Sequence, residues 1–188
     1  MKAPKGRFLY VRNARAWRSW LAAHHNTARE AWLVSYRQHT GKPRISYNAA
    51  VEEALCYGWI DSIQKTIDTD RVAQRFTPRK PSSTWSEMNK ERARRLIRQG
   101  KMTAAGLAAL RDVLKPATGQ RLVVAPDIRR ALQRDKRVWK NFQAFPSSYK
   151  RIRIGWIEGA RQRPQVFRQR LRYLVKMTAD DRRFGMVQ

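Results

Sequence analysis

Along YNAAVEEALCY, Tyr47, Ala50, Val51, Ala54 and Leu55 fall at i, i+3, i+4, i+7 and i+8. That spacing gathers apolar side chains on one face of an α-helix. Ser46 stands where an N-cap belongs, and Gly58 where a helix closes. The same pattern predicts a shorter helix over ARAWRSWLAAHH, capped by Asn13, with Trp17, Trp20 and Leu21 inward. Between the two, AWLVSYR alternates: Trp32, Val34 and Tyr36 against Leu33, Ser35 and Arg37, which predicts a strand. Thr40-Gly41-Lys42-Pro43 reads as the turn after it. Ile60 to Ile67 and Arg71 to Thr77 are β-type runs around Asp68-Thr69-Asp70, which predicts a hairpin. Pro78 and Pro81 end its second strand, because proline cannot donate to a ladder.

The period then returns to that of a helix. Thr84 and Glu87 form a capping box for a helix running to Gln99, with Met88, Leu96 and Ile97 inside. Thr103 opens another, with Leu107, Leu110 and Leu114 inward, which stops before Pro116. Beyond Pro126, Ile128, Ala131, Leu132, Val138, Trp139 and Phe142 make one helical stripe. Ser147 caps a second helix, with Tyr149, Ile152 and Trp156 inward. Pro164 sits in the first turn of a third, with Phe167, Leu171, Leu174 and Val175 inward. The predicted fold is α+β: a small antiparallel sheet of one strand plus a β-hairpin, packed by helices, then a helical C-terminal region. The expected limits are a core over residues 1–115, a linker over 116–125, and a three-helix region over 126–188 packed on the core. The last ten residues are expected to fray.

Charge narrows the choice of partner. The chain has 188 residues, with 41 Lys+Arg against 14 Asp+Glu, a net +27. The excess is +6 in residues 1–62, +9 in 63–125 and +12 in 126–188, so no detachable basic tail carries it. Such a field concentrates anions, whether nucleic acid, lipid headgroups or acidic proteins. Arginine exceeds lysine 29 to 12, which genomic base composition alone would also produce.

Candidate chemistry is sparse. Cys56 is the single cysteine, which excludes an internal disulfide and a cysteine-based zinc site and suits a small core residue better than a nucleophile. His24 and His25 diverge on a helix, and His39 is the only other histidine, so no metal is expected. Glu52 and Glu53 diverge in the same way. No phosphate loop, nucleophile elbow or paired-histidine helix motif occurs, so neither a catalytic residue nor a cofactor is assigned. The first residues lack an apolar segment of the signal-peptide kind, and no apolar run is long enough to span a bilayer. A cytoplasmic location is expected.

The aromatic and basic residues from Trp59 to Trp85 are the candidate binding surface. On a regular strand Asp61, Ile63, Lys65 and Ile67 share one face, and Arg75 and Arg79 arrive on the returning strand. A carboxylate at Asp61 would orient a guanidinium, leaving Arg75, Arg79 and Lys80 as a cationic rim beside Phe76 and Trp85. The plainer alternative is a cross-strand salt bridge on a solvated face. KERARRLIRQ and RPQVFRQRLRYLVK carry arginines that could lie on phosphates, or simply form the polar side of amphipathic helices. Most of the seven tryptophans fall on apolar stripes and read as core.

Several stretches carry a family resemblance. They are Trp32-Leu33-Val34, Thr40-Gly41-Lys42-Pro43, and the run Glu53-Ala54-Leu55-Cys56-Tyr57-Gly58-Trp59-Ile60-Asp61-Ser62. Gln74-Arg75-Phe76-Thr77-Pro78-Arg79, Trp85-Ser86 and Asn89-Lys90-Glu91-Arg92 continue it, with Ser148-Tyr149-Lys150 and Trp156-Ile157 in the helical tail. Together they resemble the bacterial YdeI/OmpD-associated, or bacteriocin-protection, family. Ser35 departs from a position that tends to be aromatic there, and Thr66 from one that is often basic. The resemblance implies a stress-protection role against bacteriocins and cationic antimicrobial peptides, association with an outer-membrane porin, and no catalytic residue. A chain at +27 repels cationic peptides, so protection would run through an anionic partner. The expectation is a binding protein of this type, using Trp59, Asp61, Arg75, Phe76, Arg79, Lys80 and Trp85. The alternative is sequence-tolerant nucleic-acid binding.

Overall fold

The computed structural model describes residues 8–110 and 122–185. Most of the expected linker, and the end of the helix expected to reach Leu114, lie outside the described residues. The described residues divide into two units, one drawn from 8–84 and 92–110, the other from 85–91 and 122–185.

The first unit is a four-stranded mixed sheet with helices. In chain order it holds β1 (Phe8–Tyr10), α1 (Ala14–His24), β2 (Ala31–Tyr36), a 3-10 turn (Gln38–Thr40), α2 (Tyr47–Cys56), β3 (Trp59–Thr66) and β4 (Arg71–Pro78). α3 (Glu87–Arg98) supplies its last seven residues to this unit, and α4 (Ala104–Leu110) follows. The strand order is β1-β2-β4-β3. β2, β4 and β3 pair antiparallel as the sequence predicts, while β1 adds a parallel edge beside β2 that the sequence reading lacks.

Capping follows the expected chemistry at α1 and α2. Asn13 Oδ1 accepts from Ala16 N at 2.9 Å, and Ser46 Oγ accepts from Ala49 N at 3.2 Å. At α3 the cap is Ser86, whose Oγ accepts from Asn89 N at 3.2 Å, rather than Thr84. α1 and α2 cover one sheet face. Trp17 is fully buried there, 5.3 Å from Phe76 between ring centroids, and its Nε1 donates to Ala50 O at 3.0 Å. Removing such a side chain costs about 3–5 kcal/mol, so this contact anchors the helix layer. On the opposite face Trp32, Val34 and Ala73 form a small buried cluster of their own.

The second unit holds α5 (Pro126–Gln133), α6 (Lys136–Ala144), α7 (Ser147–Glu158) and α8 (Pro164–Ala179) around Ile128, Leu132, Phe142, Ile157 and Leu174. Among the described residues, four helices stand where three were expected. Asp135 Oδ1 accepts from Arg137 N at 2.7 Å and Val138 N at 3.3 Å, so the first expected helix is two, restarted by an N-cap within its stripe. Ser147 is the first residue of α7 rather than its cap, a place Pro146 takes. Arg161 joins Asp127 at 2.6 Å and Glu158 at 2.5 Å. Among the described residues no helix is long and apolar enough to cross a membrane.

Candidate functional site

Arg75 and Phe76, expected on one rim, do not converge. Along β4, Arg75 and Phe76 are neighbours, so they project to opposite faces. Phe76 and Trp59 are buried on the helix-covered face, and Trp59 Nε1 donates to His25 O at 3.2 Å. Arg75 lies on the other face, where its Nη2 meets Glu30 Oε2 at 2.6 Å. Its hydrogen bond holds the Glu30 carboxyl below the usual carboxylate range, against a smaller opposing effect of burial.

Asp61 pairs in register with Phe76, and its Oδ2 accepts from Tyr47 Oη at 2.7 Å. Of the two arginines expected near Asp61, Arg75 is taken by Glu30, while Asp61 bonds Tyr47 and acts electrostatically on Arg79. A register shift between Asp61 and Gln64 adds one residue to β3, so Asp61 and Lys65 end on opposite faces instead of sharing one. Arg79 is half-buried and donates to Thr84 O at 3.3 Å; burial lowers its pKa while Asp61 opposes the shift. Lys80 is exposed, and Trp85 is buried and belongs to the second unit.

A concave feature of the first unit lies elsewhere on the covered face. A cleft of about 540 Å³ opens beyond the edge of the helix layer. Its floor is apolar and buried: Leu33, Ile45, Ala50 and Phe76. Its rim is polar and exposed: Arg37, His39, Arg44, Tyr47 and Gln64. Half-buried Gln74 lies in register with Gln64, and its Nε2 donates to Ile63 O at 3.2 Å.

The turn after β2 builds this rim. Gly41 adopts φ +64, the left-handed region where a side chain would be strained. Thr40 Oγ1 donates to Arg37 O at 2.8 Å, and Pro43 O accepts from Tyr10 Oη at 2.7 Å. The chain reverses, and Arg44 returns over the sheet just before α2.

The charge at the cleft differs from the background. Arg18 pairs with Glu53, Arg71 with Asp68, Arg75 with Glu30 and Arg95 with Glu52. Arg37 donates instead to Thr66 Oγ1 at 3.3 Å, and Arg44 makes neither a hydrogen bond nor an ion pair among the described residues. No carboxylate lines the cleft among the described residues. His39 Nε2 stands 3.1 Å from Asp70 Oδ1, which leaves its other ring nitrogen for a ligand. Partial burial first, and then the hydrogen bond to Asp61, push the Tyr47 phenol up to about 12, so it stays a neutral donor.

The basic helices are partly committed to internal partners. Arg92 is buried, with Nη2 donating to Asn48 Oδ1 at 2.7 Å, and Arg95 reaches Glu52. On α8, Arg170 donates to Trp156 O and lies 4.7 Å from that ring, while Arg168 and Arg172 are exposed. His24 and His25 bond the carbonyls of Trp20 and Leu21, and among the described residues no group of His, Cys, Asp and Glu could hold a metal. Burial pushes the Cys56 thiol up, against the opposing Arg18.

Two family models match the chain. The one described as "Domain of unknown function (DUF8412)" matches residues 9–109, which contain the whole cleft. The one described as "Bacteriocin-protection, YdeI or OmpD-Associated" matches residues 121–181, which contain α5 to α8. The second match bears out the resemblance, but through the helical tail; most of the residues that suggested it lie within the first match. No curated protein and no solved structure matches the chain.

Proposed function

The chain belongs to the DUF8412 domain family through residues 9–109 and continues into a bacteriocin-protection, YdeI/OmpD-associated segment, and from that premise we propose that it is a protective binding protein whose first-unit cleft takes an anionic partner. The reading includes a cytoplasmic location and action under stress. What carries it is the pair Arg37 and Arg44, two guanidinium groups on a concave rim with no carboxylate to neutralise them among the described residues. Guanidinium forks make the stronger, charge-assisted hydrogen bonds with carboxylates and phosphates. The net charge of +27 steers anions toward the molecule and turns cationic peptides away. Protection would therefore act through the anion bound, not through direct capture of the attacking peptide.

The test is genetic. A strain lacking the protein, challenged with bacteriocins, is expected to be more sensitive and to be rescued by the wild-type chain. Rescue by the double variant Arg37→Ala, Arg44→Ala should fail although it accumulates to the wild-type level. Undiminished resistance in the deletion strain, or full rescue by the double variant, would overturn the reading.

A further inference from the structure

We propose that the ligand of this cleft is a nucleoside monophosphate, with its phosphate on Arg37 and Arg44, its base over Val72 and the Tyr47 ring, and its polar base edge on Gln64 and Gln74. The assignment rests on the cleft being an anion site and goes one step further, to the chemistry of the rest of the ligand. At about 540 Å³ the cleft falls in the range of small-molecule sites, about 300–1,000 Å³.

Three parts of the lining make three demands. The rim asks for negative charge, since Arg37 and Arg44 lack a carboxylate among the described residues. The floor asks for an apolar surface: Leu33 and Phe76 are buried beneath it, and half-buried Val72 with the exposed Tyr47 ring is the apolar surface a ligand reaches. The third part is the pair of amides. Gln64 and Gln74 sit opposite each other on β3 and β4, on the face where regular alternation would place apolar side chains. Gln74 directs its Nε2 to Ile63 O, which leaves its amide oxygen to accept. The Gln64 side chain makes no hydrogen bond among the described residues and offers both a donor and an acceptor.

Paired donors and acceptors of this kind complement the edge of a nucleobase. An inorganic anion would leave the floor and the amides unused. A fatty acid would cover the floor but leave the amides without partners, and unpaired polar groups carry a desolvation cost. A base, a sugar and a phosphate meet all three demands together. His39, at the rim, adds a ring nitrogen that Asp70 does not occupy.

Titration calorimetry on the full chain separates the possibilities, with AMP, GMP, CMP and UMP as probes, and adenosine, inorganic phosphate and polyphosphate beside them. At least one monophosphate is expected to bind one per chain, at least about tenfold tighter than its nucleoside or inorganic phosphate. Arg37→Met with Arg44→Met should reduce that affinity about tenfold or more. Gln64→Ala with Gln74→Ala should weaken the nucleotide while leaving polyphosphate unchanged; far-UV circular dichroism confirms that both doubles fold. If no monophosphate binds better than inorganic phosphate, the assignment is overturned. If polyphosphate then still binds through Arg37 and Arg44, the anion-site reading survives alone; if nothing binds, both fall.

Discussion

Tyr47 Oη donates a hydrogen bond to Asp61 Oδ2 at 2.7 Å, joining the first turn of α2 to the start of β3. The phenol is raised to about 12, by partial burial and then by the carboxylate. A raised phenol means that the fold favours the neutral form. Its stabilisation is complete below the unfolded tyrosine value of about 10 and disappears as pH rises through the folded value. Tyr47→Phe is expected to lower stability at pH 7 by at most about 1 kcal/mol, since the group is partly exposed. The urea midpoints of variant and wild type should converge between pH 10 and 12. An unchanged gap at pH 12 would mean that the hydrogen bond is not its source.

The pair on the opposite face titrates the other way. Glu30 is held below the usual carboxylate range by Arg75, and its Oε1 also accepts from Trp32 Nε1 at 3.1 Å. A lowered carboxyl contributes stability above its unfolded value of about 4.3, and loses it as pH falls through the folded value. Glu30→Gln keeps the bond from Trp32 and removes the charge. We expect a loss of roughly 1 kcal/mol at pH 7 that vanishes in acid. Denaturation curves from pH 7 down to pH 2 check this, and a constant difference across that range would contradict the ion pair.

Arg75 and Phe76 illustrate how far a sequence reading reaches. The runs that form β3 and β4 stand out in the chain because period-2 alternation and the Asp68-Thr69-Asp70 turn are local signals. Which side chains face each other is not local. The register shift between Asp61 and Gln64 adds one residue, and one residue is enough to move Lys65 to the far face. β1 has three residues and a parallel partner more than twenty positions away, so nothing in Phe8–Tyr10 alone announces a strand. The cleft is dispersed in the same way: Arg37, Arg44, Gln64 and Gln74 come from separate segments, brought together by pairing and by the Gly41 turn. The one sequence signal for it was available. Gln74 stands two residues before Phe76, a polar residue on the strand face whose other members are apolar, and such a break in the pattern invites a ligand.

Asp135 is the residue that turns one expected helix into two. Its Oδ1 takes two backbone donors at the start of α6, satisfying groups a helix terminus leaves open. Asp135→Ala should cost about 0.5–2 kcal/mol, and Asp135→Asn, which keeps the acceptor, only a fraction of that. Thermal melts of the two variants distinguish them. Equal losses would place the effect in charge alone, and no loss in either would mean that the break between α5 and α6 has another cause.

Gly106 lies within α4 where that helix meets the end of α2. A Cβ there would stand 2.2 Å from Cys56 O and 2.7 Å from Cys56 C, both backbone atoms without freedom to move aside. Thr103 holds the same carbonyl, with its N donating at 3.1 Å and its Oγ1 at 2.6 Å. Two effects therefore oppose each other in Gly106→Ala. Alanine gains about 1 kcal/mol of helix propensity over glycine. Overpacking costs about 1–3 kcal/mol, and drawing α4 away from Cys56 weakens two hydrogen bonds of about 1 kcal/mol each. The clash wins on these magnitudes, so the variant should be destabilised by about 2 kcal/mol or more. Gly100→Ala is the control: nothing lies within 4 Å of its Cβ position, and only the positive φ of 64 opposes the substitution, at about 1–2 kcal/mol. A Gly106→Ala protein that melts above the wild type would show that the two helices do not approach this closely.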